Sequence, residues 1–277
     1  MTDAAVAVTE QVAIGDVTLS VRGESQDAAW YRQRGCFEER ASILYKLLRR
    51  EAFTAIVDVG ANYGFISIIA RKENPDIEIF AFEADPRLED LIRANFEQNG
   101  ISDFKLRNVV VSAVDQPEAT FSLNPRSTLD NRVEIAAWKK VAVPAASLST
   151  LLRGRLEHHS GIFFKIDTQG FEQNVLKGAE SLLSTLPRWL IKMEFAPNWL
   201  RSQGSDPLEL LGYLVDRYDV SEFPARIPFG TTSLAELRRT AVNRADIAEF
   251  LAHIESLNVN RLGWVDLLVT PRDLLHG

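Results

Sequence analysis

Two hydrophobic periods alternate along the chain. Short apolar runs, rich in β-branched residues, occur at AIVDVG (55–60), IEIFAFEAD (77–85), FKLRNVVVSAV (104–114), GIFFKID (161–167) and RWLIKMEF (188–195). Each is bounded by polar or turn residues and reads as a strand. Between them, apolar residues recur at helical spacing: Phe65, Ile66 and Ile69, then Leu88, Leu91, Ile92 and Phe96, then Phe171, Val175, Leu176, Ala179, Leu182 and Leu183. The second helix carries its own punctuation, with Asp85 as N-cap, Pro86 at the first helical position and Gly100 at the C-terminal cap. Pro187 ends the third. Strands alternating with helices predict an α/β fold with a doubly wound, mostly parallel sheet covered on both faces. GYLVDRYDVSEF (212–223) and WVDLLVTP (264–271) add two strands around a long helix near 233–257, which makes seven strands.

Upstream, Gly15-Asp16 separates two β-prone runs within Gln11–Arg22 and predicts a small hairpin. Residues 27–51 read as helix, with Ile43, Leu44, Leu47 and Leu48 on one stripe. The stretch 115–150 breaks the alternation. It holds the polar loop Asn124–Arg132, then Trp138 and KVAVP (140–144), and reads as a long irregular insertion suited to a binding loop or lid. Nothing within 35–277 resembles a linker, so the expectation is one domain over 35–277 behind a short N-terminal extension, 1–34.

Composition narrows the function classes. Apolar residues are 46% and charged residues 25% of the 277, the profile of an ordinary globular protein. Acidic side chains outnumber basic ones by 38 to 31, a net charge of −7 that opposes a nucleic-acid partner. Cys36 is the single cysteine, which excludes an intramolecular disulfide and a cysteine-based zinc site. No apolar run approaches the roughly 18 residues of a membrane span. The first residues, MTDAAVAVTEQ, lack the basic start of a signal peptide, so a cytoplasmic enzyme is expected.

Candidate chemistry begins at Asp58-Val-Gly60-Ala-Asn62-Tyr-Gly64, a strand-to-helix turn at the carboxyl end of the sheet, where open α/β folds bind ligands. Gly60 permits a sharp turn, Gly64 a close helix–strand approach, and Asn62 tolerates left-handed backbone. A nicotinamide dinucleotide would set its pyrophosphate on this turn, and Asp58 would repel it. S-adenosylmethionine carries an ammonium and a sulfonium instead, which a carboxylate attracts. Glu83, ending the next strand, is placed to accept ribose hydroxyls. The plainer alternatives are an ordinary tight turn and a solvated strand end. A nucleotide-dependent oxidoreductase and a non-catalytic cofactor-binding module both stay open at this point.

The residues DVGANYGFISI (58–68), IFAFEAD (79–85), FFKIDTQGFEQNVLKGAESLL (163–183) and LIKMEF (190–195) resemble the FkbM-type S-adenosylmethionine-dependent methyltransferases, over roughly residues 35–200. GCFE (35–38) is similar to a further family element. The resemblance implies a Rossmann-like class I methyltransferase fold and methyl transfer to a hydroxyl of a sugar or natural-product intermediate. It also implies cofactor contacts. Asp58, Gly60, Ala61, Asn62 and Gly64 would hold the methionine part, and Glu83 with Ala84 the ribose. Asn108, Val111 and Ser112 would flank the adenine, with Asp167 beside the methyl donor. Three positions depart from the family pattern: Ala84 stands for a proline, Thr168-Gln169 for Val-Glu, and Ser149 for an aspartate.

An alcohol acceptor must lose its proton, so a base or a metal helps. Asp167 and Glu194 end strands on the same rim and offer oxygen ligands suited to Mg²⁺; Glu172 opens the following helix. His158 and His159 read as solvated loop residues on the opposite rim, and Lys165 as a pairing or snorkelling strand lysine. Arg126, Asn131, Arg132, Trp138, Asn198 and Trp199 are the polar and aromatic groups available to a small hydroxylated substrate. A homodimer through the N-terminal extension is compatible with the sequence, though no residue pattern requires it.

Overall fold

The computed structural model describes residues 9–23, 25–33, 35–133, 135, 137–238, 241–258 and 263–272, with the side chains of 35–38 left out. The expected hairpin is present: β1 (Thr9–Ile14) and β2 (Val17–Arg22) pair antiparallel around Gly15, whose φ is +56°. The helix expected over 27–51 is two helices, α1 (Asp27–Arg32) and α2 (Gly35–Arg50). Then follow β3 (Ala55–Val59), α3 (Phe65–Glu73), β4 (Glu78–Glu83), α4 (Glu89–Gln98), β5 (Phe104–Asn108) and β6 (Val110–Val111).

The insertion is more regular than its polarity suggests. β7 (Gln116–Leu123), β8 (Arg132–Val133) and β9 (Lys139–Ala146) join β6 in a second, four-stranded sheet of order β6-β9-β7-β8. Val143 and Ala145 face its small core with Val110, Phe121 and Leu123, while lysines and Pro144 face out. Alternating burial along β9 and an exposed first half of β7 explain the polar look of these strands.

The chain continues through α5 (Leu148–Leu151), β10 (Ile162–Ile166), α6 (Glu172–Leu183), β11 (Trp189–Phe195), α7 (Pro197–Ser202), α8 (Pro207–Arg217), β12 (Asp219–Phe223), α9 (Ile247–Ser256) and β13 (Val265–Thr270). The segment 212–217, expected as strand, is the end of α8. Asp206 caps that helix by accepting from the Leu208 and Glu209 amides, ahead of Pro207. The long helix expected over 233–257 is a 3₁₀ turn at Ala235–Leu237 followed, ten residues on, by α9. Asp85 does not cap α4, which starts at Glu89; its carboxylate is engaged by Arg87 and Asn131.

The main sheet has seven strands in the order β12-β13-β11-β10-β3-β4-β5, all parallel except β13. The doubly wound reading therefore holds. Every residue of β3, β10 and β13 is buried, as a sheet covered on both faces requires. Strand order reverses between β3 and β10, and their carboxyl ends form the crevice where such folds bind ligands. The hairpin's Val12, Ile14, Leu19 and Val21 share one core with Leu44, Leu48 and Phe96. No helix among the described residues is long and apolar enough to cross a membrane.

Candidate active site

β3 runs into the turn 60–64. Gly60, Asn62 and Gly64 all take positive φ (74, 52 and 79°), as the residue choice predicted. A Cβ on Gly60 would lie 2.0 Å from the Asp167 carbonyl oxygen, and one on Gly64 2.6 Å from Phe96 Cε1. Gly60 thus lets the turn touch the end of β10, and Gly64 lets α3 lie against α4.

Above this turn a cavity of about 510 Å³ opens across the carboxyl ends of β4, β3, β10 and β11 and the amino end of β13, within the size range of small-molecule sites. Glu83 stands on its wall. The Asn62 amide donates to Oε2 (2.7 Å) and the Asp85 amide to Oε1 (2.8 Å), so the carboxylate is held from both sides. Each oxygen keeps a second lone pair for a ligand hydroxyl. Burial, with the Asp85 charge adding to it, pushes Glu83 up to about 7 against the two amides.

Asp58 does not open onto the cavity. It is fully buried behind the turn, accepts from Ser67 Oγ at 2.6 Å and pairs with Lys165 Nζ at 3.3 Å. Lys165 also donates to the Gly60 carbonyl (2.5 Å) and lies 3.8 Å from Asp167. Burial works against this ammonium, but Asp58 and Asp167 outweigh it and hold the lysine above its ordinary value. The charge expected to bear on a ligand from Asp58 is therefore neutralised in place. The carboxylates in the cavity lining are Glu83, Asp130, Asp167, Glu194 and Asp266.

Asp167 and Glu194 are joined by Gln169, whose Nε2 donates to Asp167 Oδ1 (2.9 Å) and Glu194 Oε2 (3.2 Å). Gln169 sits at φ +56°, a strained backbone for a side chain of its kind. An amide NH₂ between the two carboxylates places a donor where a cation needs oxygen, so this pair does not fit Mg²⁺. Glu194 is buried and pushed well above the usual carboxylate range, first by burial and then by Asp167, Glu172 and Asp266. Glu172 faces away from the cavity: Oε1 accepts from Thr168 N, Thr168 Oγ and Gly170 N and holds the turn before α6.

Of the other expected positions, Ala61, Ala84 and Val111 line the cavity. Gly64, Asn108 and Ser112 do not; Asn108 Nδ2 caps the Glu83 carbonyl, and the Ser112 backbone packs against α6 at Gly178. Asn131 and Trp199 line it, with the Arg132 guanidinium 5.1 Å over the Trp199 ring. Arg126, Trp138 and Asn198 lie outside it. GCFE falls within α2, with its side chains outside the described residues. His158 and His159 are on the opposite rim as expected, but His159 is buried against Phe80 and is no solvated residue.

The FkbM methyltransferase domain matches residues 58–221, more than half of the chain. The chain belongs to the FkbM methyltransferase family. Among curated proteins none matches it in sequence. Solved structures similar to this FkbM protein include an O-methyltransferase from Bacillus cereus in complex with S-adenosylhomocysteine (14% identity over 84% of this chain and 80% of the other, TM-score 0.39). Others are a precorrin-6y C5,15-methyltransferase from Geobacter metallireducens (17%, 84% and 87%, TM-score 0.38) and the plantazolicin methyltransferase BpumL (11%, 88% and 89%, TM-score 0.43).

Several cavity residues of the FkbM chain carry no sequence motif. Arg40 and Lys192 both pair with Asp266, at 3.0 and 2.8 Å, and Arg40 stacks 4.1 Å over Phe223. Only the pairing of β11 with β13 brings Glu194 opposite Asp266, so no spacing along the chain signals the group. Tyr31 and Thr128 reach the turn from distant segments through Asn62, each at 3.2 Å.

Proposed function

We propose that this FkbM protein is an S-adenosylmethionine-dependent O-methyltransferase acting on a hydroxyl of a small molecule, a sugar or natural-product intermediate. The observation that carries the cofactor reading is Glu83, fixed by two backbone amides at the cavity wall with lone pairs left for a pair of ribose hydroxyls. Glu83 and Asp167 beside the turn, with Lys165 already engaged by Asp58 and the Gly60 carbonyl, disfavour a dinucleotide pyrophosphate, which argues against the oxidoreductase alternative. The domain reading stays as proposed from sequence, 35–277 behind an extension 1–34.

When bound, S-adenosylmethionine supplies a methyl group on a sulfonium. In this reading the Gly60–Gly64 turn with Ala61 and Asn62 holds the methionine end, and Val111 packs at the adenine end. Asp167 accepts the acceptor's proton: it lines the cavity, its side chain is 39% exposed, and Lys165 Nζ lies 3.8 Å away. Glu194, whose protonated form is favoured by burial and by Asp167, Glu172 and Asp266, donates a hydrogen bond to an acceptor oxygen in that form. Trp199 and Asn131 offer a flat apolar face and an amide to a hydroxylated ring. Alignment and exclusion of water supply the rest.

Calorimetric titration with S-adenosylhomocysteine tests the assignment. Glu83→Ala should weaken binding by about 2–3 kcal/mol, roughly 30- to 150-fold. Unchanged affinity in the folded variant overturns the site.

A further inference from the structure

On the rim opposite the cavity, Glu78 at the start of β4 meets the loop that leads into β10. His159 Nε2 lies 3.0 Å and His158 Nε2 3.5 Å from Glu78 Oε2. The three ligand atoms all fall within 4.8 Å of one another. We propose that Glu78, His158 and His159 form a binding site for a divalent transition-metal ion of the zinc class.

The spacing suits such an ion. Zinc bonds to nitrogen and oxygen are about 2.0–2.1 Å, so the edges of a tetrahedral site are about 3.3 Å, between the two distances seen. The hydrogen bonding suits it as well. The His159 side chain is 6% exposed, and its Nε2 stands 3.0 Å from a carboxylate oxygen yet makes no hydrogen bond. Its Nδ1 is 3.0 Å from Thr54 Oγ, which also accepts from the Ser160 amide at 3.3 Å. In the tautomer that donates Nδ1–H to Thr54, Nε2 keeps a bare lone pair beside the Glu78 carboxylate, open to a metal ion. A backing hydrogen bond of this kind is how metal-bound histidines are oriented.

The surroundings keep the set in place and leave one side open. The edge of the His159 ring contacts Phe80, and the two imidazoles lie 4.0 Å apart between centroids. Lys105 takes the other Glu78 oxygen, Oε1, which leaves Oε2 for the ion. His158 is 68% exposed, so a fourth position faces solvent. Two imidazoles and one carboxylate favour zinc over calcium or magnesium, which take oxygen ligands. An ion there ties the start of β4 to the loop before β10 across Thr54 at the head of β3, and Glu78 N already donates to the Thr54 carbonyl (2.8 Å).

The test uses the full chain, stripped with a chelator and titrated with zinc by calorimetry, with cobalt(II) as a spectroscopic substitute. The expected result is one equivalent of zinc and the visible bands of tetrahedral cobalt. His158→Ala and Glu78→Gln should each weaken zinc binding about tenfold or more. His158 is exposed, so its variant reports on the site without disturbing the core. No binding by the folded wild type overturns the proposal and leaves a proton as the cation shared by His159 and Glu78. Equal binding by wild type and His158→Ala also overturns it, since the zinc is then held elsewhere.

Discussion

A carboxylate buried at a cavity wall is useful to a ligand only when ionised, and Glu83 sits near the edge of that condition. Burial raises it to about 7, while the amides of Asn62 and Asp85 favour the charged form. A ligand that donates hydroxyls to Glu83 selects the carboxylate, so affinity must fall as pH drops through that value. For a group titrating at about 7, the apparent affinity at pH 6 should be about tenfold weaker than at pH 8. Calorimetry with S-adenosylhomocysteine at pH 6, 7 and 8 measures this, and Glu83→Gln should flatten the profile. Stability without ligand runs the other way. The folded chain holds a proton on Glu83 that the unfolded chain has released, so this group stabilises below the ordinary carboxylate range. That contribution is lost as pH rises through about 7. The rise in Tm on adding S-adenosylhomocysteine should therefore be larger at pH 8 than at pH 6.

At the scale of elements, the turn between β3 and α3 depends on two glycines that differ in what surrounds them. A Cβ on Gly60 meets a main-chain carbonyl of β10, which cannot yield without moving the sheet; one on Gly64 meets the edge of the Phe96 ring. Gly60→Ala should cost more stability than Gly64→Ala, beyond the roughly 1 kcal/mol that left-handed backbone costs any alanine, and should lose S-adenosylhomocysteine binding. Equal Tm losses in the two variants would mean that backbone strain alone matters there. These glycines were legible because a residue type and a strand end coincide in the sequence. The same holds for the strand alternation and for Glu83. Other elements are masked in the sequence by their burial and pairing. β9 buries one face, β7 buries only its last three residues, and the pair carry Pro117, Pro144 and two lysines, so they look like a loop. The start of α8 is marked only by Asp206-Pro207, a capping pair that the apolar run after it outweighs in the sequence pattern. Asp58 was identified, but Lys165, which neutralises it, reaches it only through the pairing of β10 with β3. Arg40, Lys192 and Asp266 meet from three elements, so no spacing reveals them.

For the molecule as a whole, the cavity is closed on one side by segments far apart in sequence, and Asp27 joins them. This fully buried carboxylate accepts from Tyr63 Oη (2.7 Å), Ser127 Oγ (2.6 Å), Thr128 N (3.1 Å) and Thr128 Oγ (2.8 Å). Thr128 in turn accepts from Asn62 Nδ2, and Asn62 Oδ1 accepts from Tyr31. The N-terminal helix, the glycine turn and the loop between β7 and β8 therefore share one polar network beneath the cavity mouth. Asp27→Ala would strand several donors at once, since alanine offers none of them an acceptor and the site is too enclosed for bulk water. Its cost should be about 3 kcal/mol, a fall in Tm of roughly 6–12 °C for a chain of this size. Asp27→Asn keeps one acceptor oxygen and should fall between alanine and wild type. Hydrogen exchange separates a local from a global effect. The expected result is faster exchange at 124–132 and in the 60–64 turn, with the strands β10 and β11 unchanged, and a weaker grip on S-adenosylhomocysteine through the loosened Asn62. Unaltered exchange at 124–132 would show that the loop is held by its own β-pairing, and that the N-terminal helix does not help to close the site.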